Sequence, residues 1–127
     1  MQIVMPSLLL SNVHRLCNKM DEISIIVTDL MPDIIVFTET WLDGTIPDSV
    51  VSLSSYSVFR KDRKTGLGGG VIIYARDEMQ VVKLDGILED SGAFEILFVM
   101  LRPFHLPREI SGIVVGQFIF RHGIALV

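Results

Sequence analysis

The stretch DIIVFTET at residues 33–40 decides the fold. Its contiguous apolar run, IIVF at 34–37, is typical of a strand that is covered on both faces of a sheet. Residues 7–13, SLLLSNV, form a second short apolar run. Between the two runs, at 14–31, apolar residues recur at steps of three and four, which is the period of an amphipathic helix that Pro32 ends. The order of strand, helix and strand predicts a β-α-β unit.

A polar residue follows each apolar run: Asn12 after the first run and Glu39 after the second. Strands joined in this way are parallel and connected by a right-handed crossover, so their carboxyl ends share one edge of the sheet. Open α/β sheets bind ligands at that edge, and we expect Asn12 and Glu39 to lie side by side there. A carboxylate at this position suits a hard cation such as Mg²⁺, which prefers oxygen ligands. A solvated surface glutamate and a turn-forming asparagine are the alternatives.

The remainder of the chain is rich in strand signals. Residues 42–55 indicate a loop with one helical turn at 47–53. Short segments rich in Val, Ile, Phe and Tyr follow at 56–60, 71–76, 81–84, 94–101 and 110–120. The expected fold class is therefore α/β, with a mixed β-sheet and one main amphipathic helix. Because a second long helix is missing from the pattern, we expect one face of the sheet to be bare.

Composition excludes several classes of protein. A chain of 127 residues allows one domain. Its net charge of -4 and pI of about 5.2 exclude a broadly basic nucleic-acid binder, so any phosphate contact must be local. A single cysteine, Cys17, excludes an internal disulfide. Neither a membrane span nor a secretory signal is recognisable, and an intracellular location, nuclear or cytoplasmic, is expected.

A basic, glycine-rich segment, RKDRKTGLGGG, occupies residues 60–70. A Walker loop is excluded because no Gly-Lys-Ser/Thr follows, and a dinucleotide fingerprint is excluded because a strand follows instead of a helix. A solvated hairpin loop and a basic loop beside a nucleic-acid groove remain open. On the second interpretation the nucleic-acid-binding residues are Arg60, Lys61, Arg63 and Lys64. Nearby, Trp41 is either a loop anchor or a base-stacking platform.

Three segments together, SLLLSNV, PDIIVFTETWLDGTIPD at 32–48 and YSVFRKDRKTGLGGGVIIYAR at 56–76, resemble a known family. They are similar to the amino-terminal half of the endonuclease/exonuclease/phosphatase superfamily, most of all to the endonuclease domain of non-LTR (LINE-type) retrotransposons. The resemblance implies a partial DNase I-like, four-layered α/β sandwich that hydrolyses phosphodiesters with Mg²⁺ and nicks DNA. It also implies that Asn12 is the active-site asparagine and that Glu39 binds the metal.

The resemblance extends to about residue 115, and the later motifs of the family do not occur in the sequence. Tyr-x-Pro-Pro, Gly-Asp-Phe-Asn and Ser-Asp-His are all missing, and Ile119 stands where the tyrosine is expected. We therefore expect residues 1–116 to be half of the family domain and residues 117–127 to be an unrelated tail. Such a truncated chain holds Mg²⁺ weakly or not at all, and is expected to be inactive because it lacks the groups that activate water.

The alternative is a non-catalytic remnant that acts as a binding or interaction module. An exposed apolar sheet favours self-association on either interpretation.

Overall fold

The structure is a computed structural model and describes residues 6–63, 68–84, 94–102, 113–120 and 123–126. The strands are β1 (Leu8–Asn12), β2 (Ile34–Thr38), β3 (Tyr56–Lys61), β4 (Val71–Arg76), β5 (Gln80–Leu84), β6 (Phe94–Arg102), β7 (Ile113–Phe120) and β8 (Gly123–Leu126). The α-helix α1 spans Met20–Leu30, and two 3-10 helices span Leu16–Lys19 and Asp48–Val51. The expected α/β class with one main helix is confirmed.

The strands form two sheets. The first sheet has the order β1-β2-β4-β3 and the second has the order β5-β6-β7-β8. Strands β1 and β2 are parallel, with Leu8 opposite Ile34 and Asn12 opposite Thr38, as the β-α-β interpretation predicts. The remaining pairs of described strands are antiparallel.

The helical segment begins later than its apolar period predicts. His14 and Arg15 have φ angles of 42° and 71°, in the left-handed region that a right-handed helix cannot contain. A 3-10 helix, Leu16–Lys19, follows, and only then does α1 begin. The expected helix over 14–31 is therefore wrong at its amino end. The residues just after β1 are held by hydrogen bonds to the chain that follows β2 instead.

The first sheet is packed on both faces. On one face its side chains and those of the helical segment form a core that includes Leu16, Ile23, Val27, Ile35, Phe37, Ile72 and Tyr74. On the other face a second core includes Ile34, Val36, Val71, Ile73, Ala75, Met79, Leu97 and Val99. Because Leu97 and Val99 belong to β6, the second sheet covers the face that α1 leaves open.

The expected bare face of the first sheet is therefore wrong. The strands that follow β4 form a separate sheet that covers the first one, instead of extending it. Apolar side chains are exposed elsewhere: Val82 is 52% exposed and Val114 is 50% exposed, and both lie opposite Met100 in the second sheet.

The predicted domain boundary falls inside a strand. Strand β7 runs through residues 116 and 117, and β8, within residues 117–127, pairs with it. The assignment of 117–127 to an unrelated tail stays a prediction. Within the described ranges, no helix is both long enough and apolar enough to cross a bilayer.

Candidate functional site

Asn12 and Glu39 lie at the carboxyl ends of the two parallel strands, at neighbouring positions of the sheet. Asn12 lies opposite Thr38, the residue before Glu39. Beyond the strands, the Arg15 backbone N–H donates to the Glu39 carbonyl oxygen at 2.9 Å, which keeps the two chain segments together. The site is thus built on the rigid edge where the parallel pair ends.

The carboxylate of Glu39 is held at one oxygen. Its Oε2 accepts a hydrogen bond from the Trp41 indole Nε1–H at 3.0 Å and a second from the Gly69 backbone N–H at 3.3 Å. Within the described ranges no donor addresses the other oxygen, Oε1. Half-burial of Glu39 and two donors on one oxygen fix the direction of the carboxylate.

Trp41 is the residue around which the site is organised. Its backbone N–H donates to the Gly69 carbonyl oxygen at 2.9 Å. The Arg15 guanidinium carbon lies 4.5 Å from the centre of its ring, and the His14 ring makes an edge contact with a centroid distance of 5.1 Å. The structure thus gives Trp41 the role of loop anchor, one of the two that the sequence left open.

The glycine run allows the loop after β3 to approach these residues closely. Gly70 has a φ of 92°, and a methyl group on it would overlap the Thr40 hydroxyl. Gly68 has a φ of 83°, and a methyl group there would lie 3.2 Å from the Trp41 ring. Only glycine meets both conditions at no steric cost, because it has no Cβ.

Strained backbone concentrates at this edge. Of the six non-glycine residues with a positive φ in the described part of the chain, four belong to it: His14 (42°), Arg15 (71°), Glu39 (55°) and Trp41 (54°). Each such residue costs about 1–3 kcal/mol and persists only where the surrounding structure holds it. Such strain is typical of functional sites, where the chain is held in geometry that packing alone does not favour.

Two buried hydroxyls flank Glu39 in the sequence. Thr38 and Thr40 are each 1% exposed, and within the described part of the chain neither hydroxyl has a hydrogen-bond partner. Leaving a buried hydroxyl unpaired costs about 1–3 kcal/mol. The buried hydroxyls at this edge of the sheet therefore lower stability, whereas the preceding residues of β2 are apolar.

Among the basic residues, Arg60 is engaged within the chain. Its guanidinium donates two hydrogen bonds to Asp62, at 3.1 and 2.7 Å, and a third to Asp48 at 3.1 Å. Hydrogen bonding of Arg60 to the Asp62 carboxylate, which accepts, is the main cause that raises the pKa of Arg60. The side chain is only 14% exposed, and it ties the loop after β2 to β3 through Asp48 and the Asp43 carbonyl.

The other predicted nucleic-acid-binding residues have different surroundings. Lys61 and Arg63 are half-buried, and each makes at least one polar, ionic or ring interaction. Lys64 lies outside the described residues. A role in binding nucleic acid stays a prediction for all four basic residues.

The donor set suits a weakly held hard cation. Across the described segments, no three His, Cys, Asp or Glu side chains come together as a metal site. Mg²⁺ keeps several waters and is usually held by one or two carboxylates together with substrate phosphates. The Glu39 carboxylate could hold such an ion through its Oε1 atom. Exposed Asn12 accepts a hydrogen bond from the His14 N–H at its Oδ1, at 3.3 Å, which leaves its Nδ2 as a donor.

Comparison with protein-family models gives no match. Comparison with curated proteins also gives none.

Solved structures do share the fold. One is the 3′ phosphatase NExo from Neisseria, bound to product DNA hairpin, with a TM-score of 0.52 and 18% identity over 76% of this chain. Another is an AP endonuclease from Archaeoglobus fulgidus, with a TM-score of 0.53 and 19% identity over 76% of this chain. The chain spans 37% of the length of each. Its fold is thus similar to part of the DNase I-like fold of these two proteins.

Proposed function

We propose that this chain forms the amino-terminal part of a Mg²⁺-dependent phosphodiesterase of the endonuclease/exonuclease/phosphatase type, whose substrate is DNA. The observation that carries the proposal is the Glu39 carboxylate, which two N–H donors hold at Oε2. A retrotransposon origin belongs to the same proposal, and the segments ETWL at 39–42 and GGGV at 68–71 support it. Residues 1–116 are proposed to carry the site.

Each residue at the edge has a defined part in this proposal. Glu39 would hold the metal through Oε1, while Trp41 and Gly69 keep the carboxylate in place. Asn12 would donate a hydrogen bond from Nδ2 to a phosphate oxygen, since its Oδ1 already accepts the His14 N–H. Mg²⁺, when bound, supplies electrostatic stabilisation of the charge that develops on the phosphate.

The chain alone is not expected to nick DNA. Phosphodiester hydrolysis needs a positioned, activated water in addition to charge stabilisation, and the later family motifs that would supply it do not occur in the sequence. Incubated with supercoiled plasmid and Mg²⁺, the wild-type chain should convert no more plasmid to the nicked form than Glu39→Ala does. Nicking that depends on Glu39 would show that this chain has its own general base.

A binding or interaction module is the second candidate function, and the exposure of strand β1 favours it. Leu8 and Leu10 are 44% and 45% exposed. Strand β1 pairs only with β2 among the described strands, so within the described residues it is an edge strand. A second copy of the chain could cover both features by edge-to-edge pairing.

Self-association should therefore depend on β1. Light scattering coupled to size exclusion should give a mass above that of one 14.2 kDa chain for the wild type. Leu10→Lys should shift the protein to the monomer, because a charge on an exposed edge strand opposes pairing. Ile25→Lys is the matched control, since Ile25 is 72% exposed on α1 and should leave the mass unchanged. A monomeric wild type, or equal effects of the two variants, would rule out this interface.

A further inference from the structure

Arg15 is an exposed residue whose guanidinium stacks on Trp41, the residue that also bonds to the Glu39 carboxylate. Its backbone N–H is bonded to the Glu39 carbonyl, and its guanidinium carbon lies 4.5 Å from the centre of the Trp41 ring. Within the described residues it forms no ion pair, whereas Arg60 and Arg76 are each paired with carboxylates. Arg15 is therefore a positive charge that is held in place without being neutralised.

The backbone at this position makes the side chain costly. A φ of 71° is readily adopted by glycine, while any other residue is strained there. The backbone bond to Glu39 is made by the N–H alone and does not require an arginine side chain. An exposed guanidinium that stacks on Trp41 and forms no ion pair within the described residues is suited to binding an external anion.

We propose that Arg15 binds a backbone phosphate of the DNA substrate, next to the phosphate that Glu39 and its metal would engage. This inference rests on the proposed function and names a substrate contact for it. The planar guanidinium matches phosphate with two parallel N–H donors. Stacking on Trp41 orients that fork before the ligand arrives, which lowers the entropy lost on binding.

The net negative charge of the chain favours a specific phosphate contact at Arg15 over a general electrostatic attraction of DNA to the protein. The chain carries a net charge of -4, so a polyanion gains nothing from the protein as a whole. Lys19, which is close to Arg15 in the sequence, already donates its Nζ hydrogen bond to the Val13 carbonyl. Trp41 contacts both Glu39, through its indole N–H, and Arg15, through its ring face, so the guanidinium is held at a fixed position near the edge where Glu39 lies.

The test is the binding of a fluorescein-labelled single-stranded oligonucleotide, followed by anisotropy in EDTA so that no metal contributes. Arg15→Gly should weaken binding about tenfold, the value of one charge-assisted hydrogen-bonded contact. It should also reduce the slope of log K against log salt by about 0.7, since one phosphate contact is lost. Arg15→Lys should retain most of the slope. Lys83→Ala, which removes an exposed charge from β5, should change neither quantity.

Arg15→Gly is chosen because it relieves the backbone, so its urea midpoint should not fall and lost binding cannot be ascribed to unfolding. Equal affinity of Arg15→Gly and wild type would overturn the assignment. So would an equal loss in Lys83→Ala, or no binding by the wild type. Terbium binding at Glu39, measured on the same protein preparations in buffer without EDTA, separates the two proposals: its absence from the wild type contradicts the phosphodiesterase proposal, whatever Arg15 does.

Discussion

Gly70→Ala is expected to lower the free energy of unfolding by about 3 kcal/mol or more. The new methyl group would overlap the Thr40 hydroxyl, which is buried and cannot move into solvent. The backbone φ of 92° adds strain that any residue with a Cβ must carry. Urea unfolding followed by the fluorescence of Trp41, the only tryptophan, measures the loss.

Two further variants separate the overlap from general damage. Gly44→Ala should be nearly neutral, because nothing lies within 4 Å of a methyl group there. In a Thr40→Ala background the penalty at Gly70 should shrink by about 1 kcal/mol or more, since the overlapping oxygen is gone. Equal costs at Gly44 and Gly70 would show that the glycine run does not close onto Thr40 in the way described.

Leu97→Ala should cost about 3 kcal/mol, within the usual range of 2–5 for a buried leucine. Leu97 is 1% exposed in the core between the two sheets. Val82→Ala, in the same sheet but 52% exposed, should change stability by less than about 0.5 kcal/mol. Similar small losses for both variants in urea unfolding would mean that the second sheet does not pack on the first.

The β-α-β unit could be predicted because its signals are local. Four contiguous apolar residues at 34–37 and a helical period before them are sufficient to place β1 and β2 and to make them parallel. The division into two sheets could not be predicted, because a strand such as β6 has the same apolar composition whichever sheet it joins. The late start of α1 was missed for a related reason. The left-handed backbone at His14 and Arg15 depends on hydrogen bonds to the chain after β2.

The sequence predicts where the residues of the candidate site lie, but not the contacts that they make. Strand order places Asn12 and Glu39 at one edge, but nothing local indicates that the Gly69 N–H, from a residue 30 positions away, addresses the Glu39 carboxylate. The basic segment is a clearer case. Four basic residues in five suggest a solvated charge cluster, whereas two aspartates engage Arg60. The run of three glycines at 68–70 was the one available signal of a close backbone approach.

The most direct test of the metal assignment uses terbium, an oxygen-seeking ion that can replace Mg²⁺ and emits when a nearby indole is excited. Trp41 donates to the Glu39 carboxylate at 3.0 Å, so an ion at Oε1 would lie within reach of sensitisation by the single tryptophan. The account predicts sensitised emission from the wild type, its displacement by excess Mg²⁺, and its loss in Glu39→Gln. Emission that is unchanged in Glu39→Gln would contradict the assignment of Glu39 as the metal ligand.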